Sequence, residues 1–497
     1  MAVSQASGQD MSRPSECEFR GQAFSLVSRR SANLTKTPRL HKLAFASSSR
    51  YLRLADSVRL RKECFGGLAF DARTGTVLDI DSEAMDMLLT IRQNGMVCEN
   101  DLINLYPNAG IESIEVIERL LELGMLDNIP THLAEHNRIP FHKVSIHSSR
   151  KRSTPQHLIS PEAVHWAITY KCNLHCPDCY VRRYQDDFPC ELDTSDSLRV
   201  VDALADASVF QLAIGGGEPF ARPDIDIIAN YAHKRGLVVH VTTGYHSPPS
   251  DILERLSTSI SSLQIGLKHE RLIADQSREI SQWVNCVSTS SRLGVSVGAN
   301  LMLSNTVLAH FDRIVDMVEQ AGFTRITLLR YKPPAELSTW MSENPSAEDM
   351  LRFEDTLDKT VAERPNITFR VDCALSFLMR HLDSEEALSH GIRGCVAGER
   401  ILSLTPDGSA FPCSQLVDSG YNGGNILIDG LEAIWSHSKA MKKCRTFRNT
   451  ARFRKSICGE CSAKSICGDC RIFDNRSRSA GGFKYQDCIC PVQAENE

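Results

Sequence analysis

The sequence predicts an α/β protein. A parallel sheet, closed or partly closed into a barrel, stands between a small N-terminal α+β domain and a cysteine-rich C-terminal region. Three observations carry this. From residue 161 onward, short apolar runs alternate with amphipathic helical stretches, the pattern of parallel strands joined by crossover helices. Ahead of them, residues 58–130 show three strand-like segments followed by three helical ones. Behind them, nine cysteines fall between residues 395 and 490, a density that points to metal ligation more than to core packing.

The 497 residues are enough for two to four domains. Apolar content of 42% and charged content of 24% are those of an ordinary globular chain. A net charge of −5 offers no global field to nucleic acid or to an anionic membrane. No apolar run is long enough to span a bilayer, and the N-terminus lacks the apolar core of a secretory signal. At least seven of the 18 cysteines sit in C-x2-C or C-x3-C groups, which favours metal ligands in a reducing, cytoplasmic compartment over disulfides.

Residues 1–57 are rich in Ser and Arg, with nine Lys/Arg against four Asp/Glu, and read as a loosely packed basic extension. A transit peptide shares that bias, but the acidic residues argue against one. In residues 58–130, strands are expected at 58–62, 65–70 and 76–80, with a turn at Asp71-Ala-Arg-Thr-Gly75. Asp81 or Ser82 caps a helix that carries Met85, Leu88 and Leu89 on one face. A short helix follows at 101–105. A strongly amphipathic one at 111–123 repeats Ile114, Ile117, Leu120 and Leu121 before Gly124 ends it. Its Glu112, Glu115, Glu118 and Glu122 stand against one Arg119, the wrong charge to approach nucleic-acid phosphates. Residues 131–160, rich in His and Ser, read as a linker.

Barrel strands are expected at 164–170, 211–215, 238–243, 262–267, 295–302 and 325–330. Helices are expected at 195–207, 225–234, 279–293, 311–320 and 347–363. In such sheets the chemistry gathers at the C-terminal ends of the strands. The first strand runs into Cys172-Asn-Leu-His-Cys-Pro-Asp-Cys-Tyr180, three cysteines spaced C-x3-C-x2-C. Thiolates suit iron–sulfur clusters and zinc, and a closed structural zinc site takes four ligands, where this loop offers three. The second strand ends in Ile214-Gly-Gly-Gly-Glu-Pro219, where glycines let backbone approach a ligand closely. Thr242-Thr-Gly244 ends the third strand and Gly266-Leu-Lys-His-Glu270 the fourth. Asn300, Asn305 and Arg330 lie near the ends of the fifth and sixth.

These motifs, in this order, resemble those of radical S-adenosylmethionine (SAM) enzymes. The resemblance implies a six-stranded partial (β/α)6 TIM-type barrel. It implies a 4Fe-4S cluster on Cys172, Cys176 and Cys179, whose open iron chelates SAM and whose electron cleaves it to a 5′-deoxyadenosyl radical. It carries SAM contacts to Tyr180, Gly216, Gly217, Glu218, Thr243 and Asn300, with the methionine amino group at Gly216, Gly217 and Glu218. Relatives commonly place a serine near the SAM ribose at the fourth strand end, and Gly266 cannot supply that hydroxyl.

Downstream, Cys395-x12-Gly408-x4-Cys413 carries a Pro406-Asp-Gly408 turn, and Cys458-x2-Cys461-x5-Cys467-x2-Cys470-x17-Cys488 follows. This looks like the SPASM domain, which houses two auxiliary 4Fe-4S clusters. By that resemblance Cys458, Cys461, Cys467 and Cys488 hold one. Cys395, Cys413 and Cys470 hold the other, its fourth ligand being Cys373, a non-cysteine residue or an open site. The family's usual three residues between the last close pair are two here. A zinc ribbon is the bland alternative for two C-x2-C pairs. Residues 58–130 are similar in pattern to the winged-helix-like element related to the pyrroloquinoline-quinone peptide chaperone, which holds a leader peptide as an added strand.

The expected organisation is therefore a basic extension at 1–57, a winged-helix-like recognition domain at 58–130, a linker at 131–160, a radical SAM partial barrel at 161–370 and a SPASM domain at 371–497. The expected function is oxidative C–C or thioether cross-linking of a ribosomally made precursor peptide, with flavodoxin or ferredoxin as electron donor. Maturation of a folded protein, as sulfatase-maturing enzymes do, and a non-catalytic iron–sulfur regulator are the alternatives.

Overall fold

The computed structural model describes residues 23–25, 50–106, 110–130, 157–174, 176, 179–184, 190–245, 248–267, 276–332, 337–382, 387, 392–417, 420–468, 470–472 and 490–491. Two compact units divide them. One holds the described residues from 50 to 130, and the other holds residues 157–491 together with the strand at 23–25. The first strand, β1 (Ala23–Ser25), thus belongs to the second unit.

In the N-terminal unit, β2 (Tyr51–Leu54), β3 (Val58–Glu63), β4 (Gly66–Asp71), β5 (Val77–Asp81), β6 (Val97–Cys98) and β7 (Leu126–Ile129) form two antiparallel three-stranded sheets, β6-β2-β7 and β3-β4-β5. The expected turn at 71–75 closes through Gly75 N–H to Asp71 O at 2.7 Å. The helix Ser82–Asn94 starts where Asp81 accepts from Ala84 N at 2.8 Å. Further helices run over Glu99–Leu105 and Gly110–Glu122. Leu52, Met85, Leu88, Ile91, Ile117 and Leu120 meet in a core of their own. Local periodicity did not announce β2, β6 and β7. They are two to four residues long and exist because residues 51–54 find 126–129 far along the chain.

In the second unit the strands are β8 (Ala163–Thr169), β9 (Gln211–Gly216), β10 (Val238–Thr243), β11 (Ile260–Leu267), β12 (Ser296–Leu303), β13 (Arg325–Arg330), β14 (Thr368–Asp372), β15 (Ile401–Leu404) and β16 (Ala410–Phe411). Their order is β1-β14-β13-β12-β11-β10-β9-β8-β15-β16. The six expected strands stand side by side in chain order, all parallel, with helices Thr194–Asp206, Ile225–Lys234, Ser250–Leu256, Gln276–Arg292 and Phe311–Gln320 between them. The sheet stays open, ending at β1 and β16.

Two parallel strands beyond the expected six extend it. β14 follows β13, and β15 joins the free side of β8. β14 was hard to read because it alternates Phe369 and Val371 with Arg370 and Asp372, and all four are buried. Phe369 and Val371 pack with Trp166, Ile214, Val241, Ile265 and Leu328 in the apolar core. The alternate positions His165, Ala213, Thr242, Gly266, Asn300 and Asp372 face the opposite way and line a cavity, as the two-residue period of strands dictates. The C-terminal region is fastened to the barrel by the Arg400–Glu162 ion pair. Ser403 Oγ donates to His165 O at 3.1 Å, and Trp435 Nε1 donates to Leu158 O at 2.7 Å.

Candidate active site

The cavity, about 380 Å³, opens at the C-terminal ends of the strands. Cys172, Cys176 and Cys179 line it, with Tyr180, Gly216, Gly217, Thr243 and Asn300. The cysteine loop leaves β8 at Thr169, and the backbone after β9 grips its first turn. Gly217 N donates to Thr169 O at 2.8 Å and Glu218 N to Lys171 O at 2.9 Å. This approach requires glycine. A Cβ on Gly217 would lie 2.4 Å from Lys171 O, and Gly216 adopts φ +108° with its would-be Cβ 2.5 Å from Thr169 O. A Cβ at Gly215, by contrast, would project into open space, so this glycine keeps the cavity wall bare at the end of β9. Glu191 braces the same turn, accepting from Thr169 Oγ1 at 2.6 Å and Tyr170 N at 3.3 Å. Within the loop, Cys179 N reaches Cys176 O at 3.3 Å and Leu174 N reaches Cys172 Sγ at 3.4 Å. Tyr245 OH donates to Asn173 Oδ1 at 2.9 Å, tying the loop to the end of β10.

Glu218, which the resemblance carries to the amino group of SAM, is not among the residues lining the cavity. Its side chain is 0% exposed. It accepts from Phe220 N at 3.1 Å, from Thr243 Oγ1 at 2.9 and 3.0 Å and from Gly244 N at 3.0 Å. The carboxylate latches the end of β9 to the end of β10, while the backbone of Gly215–Gly217 faces the cavity. Arg222 continues this framework, donating to Ile168 O at 2.7 Å, Leu192 O at 2.8 Å and Ser197 Oγ at 2.9 Å. Asn305 turns away, its Nδ2 donating to Ser342 O at 3.0 Å. Arg330 is buried outside the cavity wall. Lys268 and His269 of the fourth strand end lie outside the described residues.

Other residues complete the wall, and no motif marked them. Lys332, just after β13, pairs with Asp372 at the end of β14. Burial opposes charge at Lys332, and the Asp372 carboxylate overrides it and raises the pKa. His165 on β8 faces the same space, and burial first, then the Lys332 charge, lowers its pKa to about 4. Tyr180 shares a hydrogen bond with Ser414, and burial pushes its phenol up to about 12. Ser414 and Asp372 adjoin Cys413 and Cys373 in sequence, which is the one signal that could have found them.

The cysteines of the C-terminal region separate into two sets. Cys395, Cys413 and Cys470 line the same cavity as the three-cysteine loop. Cys458 sits on the turn Ile457–Glu460, which Cys461 ends. Cys467 follows the turn Ser462–Ser465, and none of these three lines the cavity. Cys488 lies outside the described residues. Cys490 packs on the same core as Cys461 and Cys467. Arg448 joins the two sets, donating to Arg393 O at 3.1 Å and Cys467 O at 2.9 Å.

The donor sets fit iron–sulfur clusters. They are soft sulfur ligands enclosed by protein. Burial pushes the Cys172 thiol up and the Cys413 thiol to about 11, and a bound metal's charge is what draws such thiols to thiolate. Among the described residues no three His, Cys, Asp or Glu side chains converge on a single-ion site.

Comparison with known proteins agrees. Residues 166–327 match the Radical SAM superfamily and residues 395–470 match an iron–sulfur cluster-binding domain, SPASM. The chain therefore carries a radical SAM domain and a SPASM domain and is an enzyme, with 4Fe-4S clusters and SAM as its cofactors. Over 315 residues it is 27% identical to the mycofactocin maturase MftC of Mycobacterium tuberculosis, spanning 61% of this chain and 76% of MftC. Its fold is similar to that of SuiB of Streptococcus suis bound to SAM (TM-score 0.64, 17% identity, 88% of this chain and 99% of SuiB). A structure of SuiB with the precursor peptide SuiA matches alike, with TM-score 0.62. The structure of anSMEcpe with bound AdoMet also matches (TM-score 0.53, 13% identity), over 67% of this chain and 94% of its own. Among the described residues no helix is long and apolar enough to cross a membrane.

Proposed function

We propose that this enzyme matures a ribosomally synthesised precursor peptide, that residues 58–130 hold the peptide's leader, and that the product is an oxidative C–C or thioether cross-link. One observation carries the reading. The likeness to SuiB extends over 88% of the chain and so cannot be confined to residues 155–497, whereas the likeness to anSMEcpe stops at 67%. The added part is shared with SuiB, whose bound peptide is a precursor peptide, and not with anSMEcpe, whose peptide complexes also match over only 67% of this chain, and the name of MftC, a maturase, points the same way. Within the N-terminal unit, β3 is an outer strand of β3-β4-β5. The edge of such a strand accepts an extended peptide through main-chain hydrogen bonds.

At the cavity, one-electron cleavage of SAM is the chemistry that a cluster on Cys172, Cys176 and Cys179 supplies when bound. The residues of the chain do the rest. Gly215, Gly216 and Gly217 present backbone, Glu218 holds the strand ends, and the enclosing walls keep water from a reactive radical. We further assign a flavodoxin or ferredoxin as electron donor and the cytoplasm as compartment. The latter fits a chain whose described cysteines are all free thiols.

The test is anaerobic incubation of the reconstituted enzyme with SAM, a reductant and the candidate peptide. The expected product is 5′-deoxyadenosine together with a peptide lighter by two hydrogens. A form beginning at residue 157 should still cleave SAM yet leave the peptide unmodified. Equal peptide modification by that truncated form would remove the leader-binding role.

A further inference from the structure

We propose that Cys373 is a protein ligand of an auxiliary iron–sulfur cluster, completing a four-thiolate set with Cys395, Cys413 and Cys470. It lies 22 positions ahead of Cys395 and outside the matched cluster-binding segment of 395–470. Spacing alone left it as one of three options.

The fold brings it in. β14 runs parallel to β13 and ends at Asp372, so Cys373 emerges at the same end of the sheet as the Cys172 loop. Asp372 then caps the short helix Cys373–Met379, accepting from Ala374 N at 2.8 Å. That cap fixes Cys373 as the first residue of the helix and sets its side chain into the cavity wall, which Cys395, Cys413 and Cys470 also line. Its neighbour Ala374 packs in one small cluster with Cys395 and Cys470, against which Cys413 also rests. Cys444 is buried in that cluster but does not line the cavity. A cluster held by four thiolates carries net negative charge. Lys332, in the same wall, is placed to offset it.

The consequence concerns how substrate binds. Four protein thiolates leave this cluster no open iron, so a substrate sulfur has no place on it. The inference rests on the iron–sulfur assignment of residues 395–470 and is independent of which substrate the enzyme modifies.

The experiment uses the full chain with Cys172, Cys176 and Cys179 changed to Ala, so that only auxiliary clusters remain. Cys373→Ala, Cys373→Ser and Cys444→Ala are added singly. Each protein is reconstituted anaerobically and assayed for iron, sulfide and zinc, and by EPR after reduction. Cys373→Ala should lose about half of the roughly eight remaining irons. Cys373→Ser should keep its iron but shift the EPR signal of one cluster, because oxygen replaces sulfur. Cys444→Ala should match its parent. Full iron with an unchanged spectrum in both Cys373 variants would overturn the proposal, as would the same iron loss in Cys444→Ala. Stoichiometric zinc in place of iron in the parent would overturn the cluster assignment itself, whatever Cys373 does.

Discussion

Glu218 is the residue whose role changes most between motif and structure, and its substitution separates the two readings. As a latch, its carboxylate is wholly buried and receives Phe220 N–H, Gly244 N–H and the Thr243 hydroxyl. In Glu218→Ala the hydroxyl can turn to another acceptor, but the two backbone donors cannot. A buried donor left without its acceptor costs about 1–3 kcal/mol. Gly244 lies at the cavity margin, where water can take over part of that role. The expected loss is therefore about 3 kcal/mol for Glu218→Ala, and about 1 kcal/mol for Thr243→Val, which removes one hydroxyl. Glu218→Gln keeps one acceptor oxygen and should fall between them. Denaturant unfolding of the apo-protein measures the stability, and equilibrium dialysis measures SAM binding. In the latch reading both decline together, because the ends of β9 and β10 separate and carry Gly216, Gly217 and Thr243 with them. Unchanged stability in Glu218→Ala, with SAM binding alone impaired, would show that the carboxylate serves the cofactor directly and that the reasoning is wrong.

Three further outcomes are expected. Replacing Cys172, Cys176 and Cys179 together with Ala should abolish reductive SAM cleavage while the C-terminal region still takes up iron. Undiminished 5′-deoxyadenosine would refute the assignment of that loop. Gly217→Ala puts a methyl 2.4 Å from Lys171 O and 2.8 Å from Tyr170 O. Because both neighbours are backbone, the cysteine loop must shift at a cost of about 1–3 kcal/mol. Iron at the three-cysteine site should fall while auxiliary iron stays, and full SAM cleavage would contradict this. His240, buried in the barrel and hydrogen-bonded through Nδ1 to Ser262 at 2.9 Å, has its pKa lowered to about 3, chiefly by burial. The unfolded chain takes up this proton below about pH 6.5 and the folded chain does not. Stability is thus lost as pH falls from there towards the folded value, by about 1.4 kcal/mol per pH unit. His240→Asn should flatten that part of the apo-protein's pH–stability curve, and an unchanged slope would place the titrating group elsewhere.

The sequence by itself determined the short-range chemistry of this protein. Cys172, Cys176 and Cys179 lie within eight residues of one another, so any fold that keeps the loop together keeps the ligand set. Gly215–Gly217 announced a close backbone approach, and the partner proved to be the first turn of that same cysteine loop. The six barrel strands were legible because apolar residues must face the helices whatever the inner face does. Tertiary structure alone decided what depends on sheet order. β15 pairs with β8 across more than two hundred residues, which brings Cys395 and Cys413 to the cavity that the Cys172 loop lines. β14 hides its strand character behind Arg370 and Asp372, and its position beside β13 carries Cys373 and Asp372 to the cavity and to Lys332. Burial likewise made Glu218 a latch, because Thr243 and Gly244 come within reach of its carboxylate only once β9 and β10 are paired. Spacing encodes ligands that are neighbours in the chain. Ligands that are neighbours only in space depend on which strands pair, and strand pairing is settled by the energy of the whole sheet.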